Sequence, residues 1–256
     1  MNKIDKMTII GLVAILLTIL YVLAVGNILH MLFNPLALII VYGGTFSATL
    51  IAYPWTVIKE IVPSLRVMLF PKQHSEQDME EMIATLSSLA EKARRDGVEK
   101  LQAELPKIND QFLAYGVQML VDGLERDVIR DNLSRKIFYI RHNQQKVSGA
   151  FRTMATVAPI FGLLGTLMGI VDMLRNLTNP SSMGAAMSNA VTATFYGIFS
   201  SNVFIPIATK LTDHGQRDII SKEMIAEGIM AIQEGDVPLI VRKKLTAFIV
   251  SHMQQK

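Results

Sequence analysis

Four stretches of this chain, 7–25, 35–55, 153–174 and 183–209, run on with almost no charge. A hydrocarbon layer about 30 Å thick is crossed by about 20 apolar helical residues. Within lipid the backbone must satisfy its own hydrogen bonds, so an isolated run of this kind is a helix. The pattern predicts four transmembrane helices. Their only charge is Asp172, near the end of the third run, where it reads as a solvated helix-end residue. Overall, 50% of the residues are hydrophobic and 18% charged, below the usual quarter for soluble domains. A short basic segment precedes the first run, but the run continues to Val25 without an A-x-A-type site, so no cleaved signal peptide is expected.

Lys and Arg set the orientation. Of the 25, two precede the first run, 14 lie between Lys59 and Lys146, Arg152 stands at the mouth of the third run and seven follow the fourth. Only Arg175 falls in a short connector. Both termini and the long middle segment are therefore expected in the cytoplasm, and connectors 26–34 and 175–182 outside. The expected divisions are 1–56 (spans one and two), 57–149 (a helical cytoplasmic domain), 150–212 (spans three and four) and 213–256 (cytoplasmic C-terminal helices). The fold class is an all-α integral membrane protein with its cytoplasmic domain inserted between spans two and three.

Between the span pairs only helical spacing appears. Segment 57–70 mixes apolar residues with Lys59, Glu60 and Arg66. It reads either as an interfacial helix at the membrane surface or as a soluble helix packed on its neighbours. Pro71 ends it. Ser75 is the expected N-cap of the next helix, which carries Met79, Met82, Ile83, Leu86, Leu89, Ala90 and Ala93 at helical spacing and stops at Gly97. A short helix follows, broken by Pro106, and then one over 110–121. A helix from Asp127 meets no breaker before Gly149 and is expected to enter span three. Span four likewise runs on to Gly235. A last helix starts with Asp236 as N-cap.

Composition also excludes function classes. The chain has no cysteine, so disulfides, thiolate metal sites and Cys nucleophiles are out. A net charge of +3 without a clustered basic face argues against nucleic acid as partner. No Ser/His/Asp set, phosphate-binding loop or metal-spaced cluster is visible, and His30, His74, His142, His214 and His252 are scattered. Neither an enzyme nor a cofactor is expected.

Spans three and four differ from the Leu/Ile/Val-rich first pair. Gly162, Gly165 and Gly169 mark span three; Ala186, Ala190, Thr194, Gly197 and Ser201 recur at intervals of three or four in span four. Small faces let helices approach closely, either within one subunit or against other chains. Thr166 and Thr194 sit mid-span. Their hydroxyls either bond a carbonyl four residues back or line an ion path. Pro159 and Pro206 each free a backbone carbonyl. No Asp, Glu, Lys, Arg or His lies near the middle of any span. Ion pathways usually need a carboxylate there, so an ion-conducting assembly requires one from another chain.

Span three with its approach, FRTMATVAPIFGLLGTLMGIV, resembles the MotA/PomA flagellar stator subunits, and its APxxGLLGT core is shared with the ExbB and TolQ energy transducers. The similarity runs through ARRDG (93–97), LVDG (120–123), ATFYGIFSSNVFIPIATKL in span four and EGIMAIQEGDVP near the end. The resemblance implies a homo-oligomeric ring of five copies around a pair of MotB/PomB-type subunits. Each of these would carry an intramembrane Asp and a peptidoglycan-binding domain. Ion flow turns the ring in the bacterial inner membrane, and the cytoplasmic domain pushes the rotor protein FliG.

Pro159 and Pro206 match the prolines that couple ion binding to ring movement, and Arg94, beside Arg95, matches the rotor-contacting Arg. The family's partner Glu falls on Gln102, a departure that leaves Glu99 or Glu104 to supply the charge. The small residues expected to pack are Gly162, Gly165, Gly169, Ala190 and Gly197. Sodium-type members resemble this chain at Thr166 and Thr194 but carry Asp where Thr156 stands. The resemblance thus implies Na⁺ rather than H⁺, held transiently near Thr166. Two other readings fit parts of the pattern. An ExbB/TolQ-like energiser has three spans and an external N-terminus, and a membrane scaffold without ion flux would keep Thr166 and Thr194 dry.

Overall fold

The computed structural model describes residues 6–25, 33–69, 76–175, 177–178 and 180–253. The Pro71 stop, the Ser75 cap and most of the first connector lie outside them. Among the described residues the chain is helical, without strands. It divides into two compact units: 1–71 with 145–212, and 72–144 with 213–256. Segment 57–69 thus groups with the spans.

In the first unit, α1 is Lys6–Val25 and α2 is Pro35–Leu38; a π-helical turn, Ile39–Gly43, joins α2 to α3, Gly44–Ala52. Asn34 caps α2 by accepting from the Ala37 N–H at 3.1 Å, with Pro35 at the first position, where a missing N–H costs nothing. After extended Tyr53 and Pro54 the chain enters α4, Trp55–Leu69. Val57 and Met68 of α4 pack with Phe151, Met154, Ile207 and Leu211.

Two long helices contribute to both units: α7, Arg126–Arg175, of 50 residues, and α8, Pro180–Gln233, of 54. As expected, α7 runs on past Gly149 into span three and α8 runs on beyond Pro206, and neither internal proline ends its helix. Three helical stretches are long and apolar enough to cross a membrane: Pro35–Ala52, and windows within α7 and α8. Helix α1 adds 20 residues whose sole charge is Lys6. Only 33% of the apolar windows of α7 and α8 is buried, so Leu163, Leu167, Val171, Val191 and Ile198 require lipid or other chains around them.

The second unit packs α5 (Glu76–Asp96), a 3₁₀ helix (Val98–Lys107), α6 (Gln111–Val121), α9 (Pro238–Met253) and the matching parts of α7 and α8. Its core includes Leu86, Leu101, Leu113, Val117, Ile129, Leu133, Ile229 and Leu245. The apolar stripe expected on α5 is the buried one, from Met79 to Ala93. Helix α5 stops where Gly97 takes φ 90°, a conformation that costs a side-chain-bearing residue. The following helix does not break at Pro106 but runs to Lys107, with Ile108 N–H bonding the Leu105 carbonyl at 3.1 Å.

Asp110 caps α6, accepting from the N–H groups of Phe112 and Leu113 at 2.8 and 2.9 Å. Asp236 is not the cap of α9. Its N–H closes α8 by bonding the Ala231 carbonyl at 3.1 Å, and its carboxylate accepts from Lys244 at 2.7 Å. The Val237 carbonyl accepts from the N–H groups of Ile240 and Val241 at 2.8 and 3.1 Å, and the first residue of α9 is Pro238.

Candidate functional site

The pairing of α7 with α8 is built from residues too small to hold the backbones apart. A Cβ on Gly162 would lie 2.9 Å from the Ala193 carbonyl oxygen and 3.2 Å from Gly197 Cα; one on Gly197 would lie 2.7 Å from the Ala158 carbonyl and 3.1 Å from Pro159 Cα. Gly165 abuts the Ala193 methyl, and Gly169 abuts Ala190 and the Ala186 carbonyl. The small face marked in the sequence is therefore in contact within a single chain. Ala193 completes it, a position the three-or-four spacing passed over.

This close approach brings two hydroxyls together. Thr166 of α7 and Thr194 of α8 contact each other through Oγ1. Thr166 also lies 3.1 Å from the Gly162 carbonyl oxygen and 3.2 Å from that of Ala190, which Thr194 reaches at 3.4 Å. Each hydroxyl has one hydrogen and two lone pairs. Two donors thus face two carbonyls and each other, leaving lone pairs uncommitted. Both threonines line an open cavity of about 780 Å³ with Val191, Phe195, Ile198, Phe199 and Asn202. Its wall holds no ionisable group. Pro159 stands beside Gly197 at the edge of this contact. Pro206 lies within α8, exposed, nine residues beyond Gly197, and does not line the cavity.

Several amides and hydroxyls beyond Thr166 and Thr194 also tie the spans together. Asn34 donates to Asn189, and Ser200 donates to the Tyr42 hydroxyl at 3.1 Å. Their signal in the sequence was only that each is polar within or beside an apolar run.

In the other unit, the residues matched to the rotor face sit on two consecutive helices. Arg94, Glu99 and Gln102 are exposed. Glu99 and Gln102, three apart on a 3₁₀ helix, fall on one row. Arg95 is committed to Asp96 by two hydrogen bonds, 3.0 and 2.9 Å. That pairing raises the pKa of Arg95 and lowers that of Asp96. Glu104 is half-buried and accepts from Lys92 at 3.0 Å and Lys107 at 3.2 Å, and these ammoniums hold its carboxyl below the ordinary range. Glu104 thus clamps its helix onto α5. No ion pair of Arg94 or Glu99 occurs among the described residues.

The described chain is helical, with stretches apolar enough to cross a membrane, and residues 104–224 match the MotA/TolQ/ExbB proton channel family. Residues 9–97 match the motility protein A N-terminal family. The chain is 33% identical to motility protein A of Bacillus subtilis over 251 residues, 96% of this chain and 91% of that one. Among solved structures it is similar to the MotAB assembly of C. jejuni (TM-score 0.83, 28% identity, 95% of both chains). It is also similar to the flagellar MotAB stator complex of Bacillus subtilis (TM-score 0.80, 32% identity, 94% of both). The chain belongs to the motility protein A family of flagellar stator subunits.

Proposed function

We propose that this chain is the torque-generating ring subunit of a sodium-driven stator. It spans the inner membrane four times with both termini in the cytoplasm, and α1 is the fourth span beside the three stretches named above. Segments 57–149 and 213–256 form the cytoplasmic part. Five copies surround a pair of MotB/PomB-type helices, and each of these brings the intramembrane Asp that this chain lacks.

The observation that carries the reading is the Thr166–Thr194 pair opening on a cavity with no ionisable wall residue. Sodium sheds part of its water shell only where several oxygens replace it. Two hydroxyls and the Ala190 carbonyl supply part of such a set, and a foreign carboxylate would complete it. Arg94, with the Glu99–Gln102 row, forms the face offered to FliG. Glu99 rather than Glu104 stands in for the missing Glu, because Glu104 is already tied to two lysines. The motility-type N-terminal match favours this reading over an ExbB/TolQ-like energiser.

The test is complementation of a strain lacking its own stator. Co-expression with a one-span B-type protein restores swimming, and either protein alone does not. Swimming that never depends on the pair would overturn the proposal.

A further inference from the structure

Helix α4 has two faces, and the core explains only one. Val57 and Met68 are buried and Ile61 and Leu65 half-buried against the α7 and α8 residues of their unit. On the opposite side, Trp55, Lys59, Val62 and Arg66 follow one another at intervals of four, three and four, a single helical row. All four are exposed, Trp55 at 64% and Val62 at 74% of their surface. Lys59 Nζ stands 6.0 Å from the centre of the Trp55 ring.

The helix begins three residues after Ala52, the last residue of a stretch long enough to cross a membrane. Tyr53, at the turn between them, contacts the Thr153 hydroxyl at 3.0 Å, fixing the start of α4 beside α7. The row therefore starts at the end of a span. An aromatic ring, an aliphatic side chain and two long-stemmed cations suit that depth: ring and stems lie among acyl chains, and charged tips reach the headgroups. Lys146 and Arg152, both exposed, flank the α7 residues Val147 and Phe151 in the cluster beneath α4. Against these four cations the exposed side of α4 sets one anion, Glu60.

We infer that the Trp55–Lys59–Val62–Arg66 face of α4 is a binding site for anionic phospholipid headgroups. Lys59 and Arg66 would hold the phosphates and Trp55 the boundary between headgroup and chain. The inference rests on the membrane placement proposed above but not on ion flow or rotor contact.

Trp55 is the chain's one tryptophan and is its own reporter. The full chain is reconstituted in vesicles of phosphatidylcholine and phosphatidylglycerol at fixed composition, with one or the other lipid brominated. Brominated phosphatidylglycerol is expected to quench Trp55 more strongly than brominated phosphatidylcholine, and added salt to weaken that preference. Each cation contributes about fivefold to the local preference. The double variant Lys59→Gln/Arg66→Gln is therefore expected to lower it by up to about 25-fold, to parity. Equal quenching by both lipids in the wild type overturns the inference, as does a preference unchanged in the double variant. Absence of quenching by either lipid would show the face covered by protein, a second copy included, and overturns it too. Flotation of the chain with vesicles after an alkaline wash reports membrane insertion separately. The assay reads no rotation, so a stator that fails to turn leaves its outcome intact.

Discussion

Gly162 and Gly197 face each other so closely that a Cβ on either would stand 3.1–3.2 Å from the other's Cα. The nearest atoms around both are backbone, which cannot turn aside as a side chain would. Gly197→Ala is expected to push α7 and α8 apart or strain them, lowering stability by about 1–3 kcal/mol. Gly184→Ala, with nothing within 4 Å of its added carbon, is the matched control. Thermal unfolding of the two variants in detergent checks this. Equal midpoints would mean that the close approach contributes nothing.

Asp110 and Lys222 form the corresponding tie in the second unit, at 2.7 Å, with the lysine side chain only 14% exposed. Burial opposes the charge of Asp110, but Lys222 and the Leu113 and Phe112 N–H groups outweigh it and hold its pKa below the ordinary value. A depressed carboxylate stabilises the fold above its unfolded pKa, near 4, and that contribution is lost as pH falls through the folded value. Asp110→Asn keeps a good cap and loses the pairing, whereas Asp110→Ala loses both. Losses of about 1 and about 2–3 kcal/mol are expected at neutral pH, shrinking below about pH 4. Chemical unfolding followed by helical signal across pH checks the order. A pH-independent difference would remove the carboxylate charge from the account.

Much of this architecture was legible because two periods dominate the sequence. Charge-free runs of membrane length marked the spans, and the 3.6-residue stripe from Met79 to Ala93 marked the face of α5 that is buried. The continuity of α7 and α8 followed from the lack of strong breakers between Asp127 and Gly149 and between Pro206 and Gly235. The small residues of the inner spans could be found but not assigned a partner, since a small face fits a helix of the same chain or of another. In the fold Gly162 meets Gly197, and Ala193 joins the contact. Asp236 misled because an Asp just ahead of an apolar helical run is a common cap; the tight end of α8 took its N–H and Lys244 its carboxylate. Glu99 and Glu104 were indistinguishable by charge. The threefold turn of their helix separates them, turning Glu104 toward Lys92 and leaving Glu99 on the row of Gln102.

The proposed topology can be tested directly, since no native cysteine interferes. Single Cys substitutions at Leu177 and at Lys100 bracket it, because both positions are exposed. An impermeant thiol reagent added to whole cells is expected to label Leu177→Cys and to spare Lys100→Cys until the cells are opened. Labelling of Lys100→Cys from outside would invert the orientation and with it the proposed rotor face.

At that face, Arg94 and Arg95 are adjacent but differ in commitment. Asp96 already neutralises Arg95, so Arg94 is the cation at the end of α5 available to a partner. Single exposed pairs contribute about 0–1 kcal/mol, but a reversal acts at every copy in a ring. Arg94→Glu is expected to abolish swimming with membrane assembly intact, Arg95→Glu to reduce it less, and Glu99→Gln to weaken torque more than Gln102→Ala. Torque from bead assays, alongside co-purification of the B-type subunit, separates lost contact from lost assembly. Full torque in Arg94→Glu would exclude that residue from the interface.

In the proposed function, ion choice turns on the two hydroxyls of Thr166 and Thr194. A proton can move along water and needs only a carboxylate to receive it, whereas sodium needs several oxygens at once. Thr166 is the better placed of the pair, within reach of the Gly162 and Ala190 carbonyls and in contact with Thr194. Thr166→Ala removes a ligand and leaves Thr194 its own bond to Ala190, so helix packing should be nearly unchanged. Thr166→Ser keeps the oxygen and loses only a methyl. The expected order of sodium-driven rotation is wild type, then Thr166→Ser, then Thr166→Ala far below, with equal amounts of assembled complex in all three. Thr194→Ala is expected to weaken rotation less, because Thr166 retains two carbonyl neighbours. The measurement is rotation speed of tethered cells against external sodium at constant membrane potential. Rotation unchanged without sodium, or Thr166→Ala turning as fast as wild type at every sodium level, would assign the path to protons and leave the two threonines as a packing contact.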